Sequence, residues 1–490
     1  MVADNGKSEE ELRPAFRSNR NPAIDAPAAS APVAEEAPFP AASPAAPPAW
    51  QASRRYIPVT EKLAIALGVT VLWLGISLWL GWPWFAELAQ AFGWPAAGLI
   101  VFGVALIPGM ANAFIIAGLM LDRRPDFSTP VQLPPVTILV AAYNEEDAIR
   151  ETLEALARQR YEAEIEVLVI DDGSTDRTRE IVRGFMPDLV NTPRLRLELI
   201  EMPRNGGKAR ALTHGLQSAS HDYVITIDAD TMLFRDAIIR LVTNQMLSPP
   251  NTAATAGTVL VRNSRRNLLT RLQEWDYFLG IAVVKRVQSL LQGTLVAQGA
   301  FSIYRTEVLR EVGGWPETVG EDIVLTWAIL ERGYRVGYAE NAFAFTNVPD
   351  SMTSYFNQRK RWSRGLIEAF KRHPGMLKPA RLNTPFVWYN LMFPFLDTVY
   401  LFVFLPGVLA ALFLQNYAVA GLMTIAVLPL ALLVNLLMYF KQLAIFRRYG
   451  LVVRRNILGA IVFTLAYQAV LSPPSLAGYV AEVLGTRKRW

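Results

Sequence analysis

Asp228-Ala229-Asp230 is the arrangement in this chain with the most direct chemistry. Two carboxylates at i and i+2 of an extended segment point to one side, so one or both can reach a single cation. Mg2+ and Mn2+ prefer oxygen ligands, commonly one or two carboxylates plus substrate phosphates. Such a cation would neutralise a diphosphate leaving group. Asp171-Asp172-Gly173-Ser174-Thr175-Asp176 comes earlier. Gly173 permits a tight turn, Ser174 or Thr175 can cap a following helix, and an acid at a strand end can hold a ribose or base edge. In Asn205-Gly206-Gly207-Lys208-Ala209-Arg210, glycines allow backbone to approach a phosphate, and the helix N-terminus and Lys208 favour an anion. The segment lacks the GxxxxGK[ST] form, which excludes a P-loop ATPase.

Two later clusters complete the order. Gly320-Glu321-Asp322 precedes a helix beginning near Ile323. Acids there cap a helix N-terminus, or Asp322 serves as a general base that takes a proton from an attacking sugar hydroxyl. Gln358-Arg359-Lys360-Arg361-Trp362 lies on an amphipathic basic helix from about Met352 to Arg372. Such a helix suits an interface with anionic lipid. It equally suits an indole stacked on a sugar ring and Arg361 on a diphosphate.

The segments between these clusters alternate short β-rich runs with helical stretches. Strands are expected at Val136–Ala142, Ile165–Ile170, Leu195–Glu201 and Tyr223–Asp228, with helices at Glu146–Arg158, Thr175–Phe185 and Lys208–Ser218. This βαβ pattern implies parallel, fully buried strands, and ligands bind at the carboxyl ends of such strands. Asn144, Asp171-Asp172 and Asp228-Ala229-Asp230 all fall at those ends, so independent elements point to one crevice.

Apolar segments flank this domain. The 490 residues are 52% hydrophobic and 19% charged, with a mean hydropathy of +0.22, which suits a polytopic membrane protein with a soluble part. The net charge of +5 is small and implies no nucleic-acid partner. With no cysteine, thiol catalysis, disulfides and Cys-zinc sites are excluded. The only histidines are His214, His221 and His373, so carboxylates would hold any metal. Residues 1–55 are rich in Ala, Pro and Glu and are expected to be a disordered cytoplasmic tail, without a signal peptide. Leu63–Trp84 and Ala96–Leu121 read as two spans of a hairpin over residues 56–125. Arg54, Arg55, Lys62, Arg123 and Arg124 flank it on one side and Trp82, Trp84 and Trp94 on the other, which places the catalytic part in the cytoplasm. The soluble domain covers 133–350, the interfacial helix 351–380 and a C-terminal membrane region 381–490. That region holds candidate spans at Phe386–Phe413, Ala418–Phe440 and Ile457 to about Leu471. Pro473-Pro474 makes the last either a single span or a broken hairpin that returns the tail to the cytoplasm, and the hairpin is preferred.

The ordered set Tyr143-Asn144-Glu145, Asp172, Asp228-Ala229-Asp230, Gly320-Glu321-Asp322 and Gln358-x-x-Arg361-Trp362 resembles the membrane-embedded, processive family 2 glycosyltransferases, which include cellulose, chitin, hyaluronan and poly-N-acetylglucosamine synthases. The resemblance covers about residues 60–490. It implies an α/β GT-A domain, Rossmann-like with a mostly parallel sheet, set between transmembrane helices. It implies uridine binding by Tyr143, Asn144, Glu145 and Asp172, and donor-diphosphate contacts from Lys208 and Asp228. It further implies a Mg2+ or Mn2+ on Asp230 and Asp228, with Asp322 as base beside Glu321. Gln358, Arg361 and Trp362 would bind the leaving group and acceptor terminus. Transfer would proceed by direct displacement with inversion.

Two departures stand out. The family usually has Thr where this chain has Gly320, which removes a hydroxyl near the acceptor. The Phe-x-Val-Thr-x-Lys signature of cellulose synthases is absent after Trp362, which points toward the poly-N-acetylglucosamine, chitin-oligomer and hyaluronan branch. The expected activity is transfer from a UDP-sugar, first UDP-N-acetylglucosamine, to a polysaccharide or oligosaccharide acceptor at an inner membrane, with the lipid bilayer and an accessory export protein as partners. The alternatives are single-sugar transfer to a lipid-linked acceptor, and a degenerate domain in a scaffold or transporter.

Overall fold

The computed structural model describes residues 57–123, 131–187, 194–379, 381–452 and 454–487, with backbone alone for 422–430. The Ala/Pro-rich tail, and with it Arg54 and Arg55, lies outside the described residues, as do Arg124, Lys488 and Arg489. Two long apolar helices come first, α1 (Val59–Phe92) and α2 (Trp94–Leu121). The first half of the soluble domain then alternates β1 (Val136–Ala142), α3 (Ile149–Ala157), β2 (Ile165–Asp171), α4 (Thr178–Phe185), β3 (Leu195–Glu201), α5 (Lys208–Ser218) and β4 (Tyr223–Asp228). The second half contains β5 (Met232–Leu233), α6 (Ala237–Met246), β6 (Thr252–Val261) and α7 (Leu268–Trp275). A π-helical stretch, Asp276–Val283, joins α7 to α8 (Val284–Leu290). It continues with β7 (Phe301–Arg305), α9 (Thr306–Val312), α10 (Glu321–Glu331) and β8 (Arg335–Thr346). The C-terminal part is helical: α11 (Met352–Arg372), α12 (Thr384–Leu391), α13 (Phe393–Leu414), α14 (Leu422–Arg448) and α15 (Ile457–Val483).

The eight strands form one sheet in the order β3-β2-β1-β4-β7-β6-β8-β5. The pairs β3-β2, β2-β1, β1-β4 and β6-β8 are parallel, while β4-β7, β7-β6 and β8-β5 are antiparallel. The sheet is therefore mostly parallel, with a mixed second half. Residues along β1 alternate between two cores. Val136, Ile138, Val140 and Ala142 pack with α3, α4 and α6, while Leu139 packs with α5 on the opposite face. Each such fully buried aliphatic side chain contributes about 1.5–3 kcal/mol. The Leu139 core continues through Trp327 and Val287 to Phe114 and Leu119 of α2 and to Phe446 of α14. The sheet and the apolar helices thus share one interior.

Four helices among the described residues are long and apolar enough to cross a membrane: α1, α2, α13 and α15. Geometry separates the last from the others. Trp84 Nε1 donates to the Ala418 carbonyl at 2.9 Å, which puts the α13–α14 loop at the end of the bundle formed by the α1–α2 turn. At the opposite end Tyr449, just after α14, stacks under Arg240 of the soluble domain at 4.6 Å. Helix α15 does not run between these ends. Asn456 at its start accepts from Trp275 Nε1 at 3.0 Å, Tyr467 Oη donates to Asp276 at 3.0 Å, and Glu482 at its end pairs with Arg364 at 2.8 Å. It follows α11 along its length and remains on the side of the soluble domain.

Nor is α15 the broken hairpin expected around Pro473-Pro474. It is one helix of 27 residues with both prolines inside it. Proline removes an intrahelical hydrogen bond, but Ser472, Pro474 and Ser475 are buried and the helix continues through them.

The absence of native cysteine makes this topology directly testable. Single cysteines at exposed Arg487 and Arg158 are expected to react with an impermeant maleimide from the same face of membrane vesicles, and one at Gln415 from the other. Labelling of Arg487→Cys together with Gln415→Cys would make α15 a span.

Candidate active site

The crevice opens at the carboxyl ends of β1, β2 and β4. Beyond β1, Asn144 adopts φ 55°, a conformation that Asn tolerates better than most residues. Its amide oxygen accepts from Thr175 N at 2.8 Å, and its own N–H donates to Ser174 Oγ at 3.0 Å. Glu145 N donates to Thr178 Oγ1 at 2.8 Å. The β1 and β2 loops are stitched together by these bonds. Asp171 is fully buried and accepts from Arg179 Nε at 2.6 Å and Ser174 N at 3.1 Å. Asp172 accepts from Gly206 N at 2.8 Å and Gly207 N at 2.7 Å. The anion held by the glycine turn is thus a carboxylate of the chain itself. Gly173 sits at φ +75°, where a Cβ would come within 2.7 Å of Asn205 N. Only glycine lets the two loops close in this way.

Lys208, the first residue of α5, forms an ion pair with Asp228 and lies 3.9 Å from Glu321 Oε1. Burial pulls its amine down, but Asp228, Glu321 and Asp322 outweigh this and hold it charged. Glu321 and Asp322 open α10, so the positive helix end faces two acids. Burial and the neighbouring Asp322 charge push the Glu321 carboxyl up, against Lys208. Asp230 is raised to about 6 by burial and by Asp228. Glu145 is raised to about 7 by burial, then by Asp230 and Asp228. Three carboxylates therefore repel one another across this part of the crevice. Among the described residues no cluster of three His, Cys, Asp or Glu side chains has metal-ligand geometry. Asp228 and Asp230 are two neighbouring carboxylates, and a cation shared with a substrate phosphate is commonly held by one or two.

Helix α11 forms the adjoining wall. Trp362 is 40% exposed, and its ring lies 6.3 Å from that of Tyr277. The guanidinium of Arg359 stacks on Trp362 at 4.1 Å and pairs with Asp276 at 2.8 Å. Tyr277 is pushed up to about 12 by burial, with Asp230 and Asp228 among the nearby charges, so the aromatic pair borders the Asp-x-Asp carboxylates. Tyr143 and Arg361 are exposed, and the Gln358 amide oxygen is buried without a hydrogen bond. Gly320 faces Gly365 of α11: a Cβ on either would lie 2.6 Å from the other's Cα. The glycine that replaces the customary threonine has a packing reason.

Tyr277, Arg359, Asp276 and Lys285 border the site and are not singled out by the motifs. Lys285, 8% exposed, is lowered to about 7 by burial, opposed by Asp322. All but Arg359 lie in an apolar helix with no recognisable spacing. Arg359 sits inside the Gln-x-x-Arg-Trp motif at a position the motif leaves unspecified.

Residues 137–313 match the family model "Glycosyl transferase family 2", so the chain carries a family 2 glycosyltransferase domain. It is 32% identical over 255 residues to the poly-beta-1,6-N-acetyl-D-glucosamine synthase of Staphylococcus aureus (strain MSSA476), covering 51% of this chain and 59% of that protein. The synthase of the same name from Staphylococcus epidermidis is 30% identical over 242 residues, 49% of this chain and 57% of that protein. The chain thus matches less than two thirds of these relatives' length. A mannosyltransferase from Pyrobaculum calidifontis, solved in complex with GDP-Man and Mn2+, superposes with a TM-score of 0.56 at 21% identity, over 80% of this chain and 99% of that one. That likeness establishes the shared fold.

The repelling carboxylates give a pH signature. A carboxyl whose folded pKa is raised stabilises the fold fully below its unfolded value and loses that stability as pH rises through the folded value. For Glu145 that window runs from 4.5 to about 7, and for Asp230 from 3.8 to about 6. In chelator-treated protein Glu145→Gln is expected to add roughly 1–2 kcal/mol of stability at pH 8, after discounting for partial exposure. It should add none at pH 4. Thermal melting checks this, and an equal effect at both pH values would contradict it.

Proposed function

We propose that this chain is an inverting, metal-dependent polysaccharide synthase that extends a β-linked polymer from a UDP-sugar, with UDP-N-acetylglucosamine as the first candidate donor. The observation that carries this reading is the convergence of Asp228-Asp230, Lys208 and the Glu321-Asp322 turn beside the Tyr277–Trp362 pair. The relatives' printed names support the choice of sugar.

In this reading the nucleoside lies at the β1 and β2 ends, near Tyr143, Asn144, Glu145 and Asp172. Asp228 and Asp230 would hold Mg2+ or Mn2+, which supplies positive charge to the diphosphate leaving group. The crowding of Glu145, Asp228 and Asp230 fits a cation there, because unneutralised carboxylates repel. Lys208 adds a second positive charge on the donor side. Trp362, partly exposed and backed by the buried Tyr277 ring, offers an aromatic face to the acceptor sugar, and Gln358 and Arg361 lie on the same helix as Trp362. The acceptor hydroxyl gives its proton to Asp322 as its oxygen attacks the anomeric carbon. The bond from that carbon to the diphosphate oxygen breaks, and its electron pair leaves with UDP. Glu321 holds Lys208 in place beside the base. The soluble domain faces the cytoplasm in this scheme, and the polymer leaves through the inner membrane.

Asp322→Asn is expected to lower UDP release by at least about 100-fold, the usual scale for loss of a general base. UDP affinity, measured by calorimetry, should be retained. Turnover within a few-fold of the native chain would sink the assignment. Mn2+ is expected to raise the melting temperature at pH 8 but scarcely at pH 4, where Glu145 and Asp230 carry protons, and Asp230→Asn should lose that response. Equal Mn2+ stabilisation of Asp230→Asn would move the cation elsewhere.

A further inference from the structure

The last turn of α15 is bonded to α11. Glu482 is 8% exposed, and its carboxylate accepts from Arg364 Nε at 2.8 Å and from Lys371 Nζ at 3.0 Å. Lys371 Nζ also donates to the Glu482 carbonyl at 2.8 Å. Arg364 is itself only 6% exposed and donates in addition to the Thr486 carbonyl. One turn earlier on α15, Gly478 lies so close to the Lys360 carbonyl and the Ser363 hydroxyl that no side chain fits between them. Removing one partner of a buried ion pair leaves the other charge uncompensated. The seat of α15 on α11 is therefore specific in both charge and shape.

The same turn of α11 grips the segment before the base. Gly365, next to Arg364, meets Gly320 in the backbone contact described above. Glu368, 3% exposed and four residues beyond Arg364, accepts from Val319 N at 2.9 Å and from Gly320 N at 3.3 Å. Arg364, Gly365 and Glu368 thus fall within about one helical turn. Any displacement of α11 is passed to Gly320, and from there to Glu321 and Asp322. Trp362 lies on this helix, half a turn away. All these residues lie beyond residue 313, where the family match ends.

We propose that Glu482 is a positioning residue for transfer: through Arg364 and Lys371 it sets the place of α11, and α11 in turn sets the Val319–Asp322 turn, so that the base and Trp362 keep one register. The proposal rests on the reading of Asp322 as the base. It assigns the C-terminal helix to the acceptor half of the reaction and leaves the donor half independent of it.

The test uses the full chain in lipid nanodiscs. Glu482→Gln keeps shape and removes charge. Gly365→Ala disturbs the contact between α11 and Gly320 directly. For both, the expected result is unchanged UDP affinity, a fall of at least about tenfold in UDP-release kcat, and faster hydrogen exchange at the Val319 and Gly320 amides. Native kcat and native exchange at those amides in a folded Glu482→Gln protein would overturn the proposal. So would a parallel loss of UDP affinity, kcat and melting temperature in both variants, which would mark a general structural role. If the native chain released no UDP with any UDP-sugar, the functional reading would fail. The amide exchange would still decide whether Glu482 positions the turn.

Discussion

Carboxylate crowding around a single lysine is the constraint on which the rest of this structure depends. Glu145, Asp228, Asp230, Glu321 and Asp322 all act electrostatically on one another or on Lys208. Two unit charges 4 Å apart interact by about 4 kcal/mol at the effective dielectric of a protein surface. A fold that gathers five acids must therefore supply compensation. The positive ends of α5 and α10 and the Lys208 amine provide part of it. The remainder is a standing demand for positive charge, which a cation-bound diphosphate would meet.

The architecture fixes this crowd in place. Strand ends carry Glu145, Asp228 and Asp230 at the rim of a sheet whose buried side chains are mostly aliphatic. The other two acids come from a turn held by Glu368 and by the Gly320–Gly365 contact. That turn depends on α11, and α11 lies between the soluble domain and α15. Because one core joins the sheet to α2 and α14, the crevice is held rigidly against the apolar helices. Arg286 strengthens this joint by pairing with Asp122 at the end of α2 and with Glu340 of β8 at 3.1 Å. In the proposed reading, acceptor-side groups are built on α10 and α11 and donor-side groups on the sheet.

Much of this was legible in the residue pattern. Continuous β-branched runs ending in Asp identify β2 and β4, and their burial on both faces implies parallel pairing. The acids at those ends mark the crevice. The mixed half of the sheet was not legible, because β6 is rich in Ala and Thr and β7 and β8 carry no motif. Tyr277 and Asp276 lie in a π-helical stretch that reads as plain apolar helix. The packing reason for Gly320 depends on Gly365, 45 residues away, and the seat of Gly478 on α11 depends on residues more than a hundred positions upstream. Such contacts are set by tertiary structure and leave no local trace. Proline spacing misled at Pro473-Pro474 because packing overrode a local helix breaker. The glycine turn at Gly206-Gly207 read as a phosphate cradle, yet its amides are given to Asp172. Local chemistry identified an anion site there without identifying which anion fills it.

The most direct test of the central claim is to size the product made from labelled UDP-sugars by purified protein in liposomes with Mn2+. The expected result is UDP release with one donor, UDP-N-acetylglucosamine first among them, and a long polymer that a matching glycosidase degrades. A short or lipid-linked product would contradict processive synthesis. Absence of UDP release with every donor, in protein that binds UDP and Mn2+, would contradict glycosyl transfer at this carboxylate cluster.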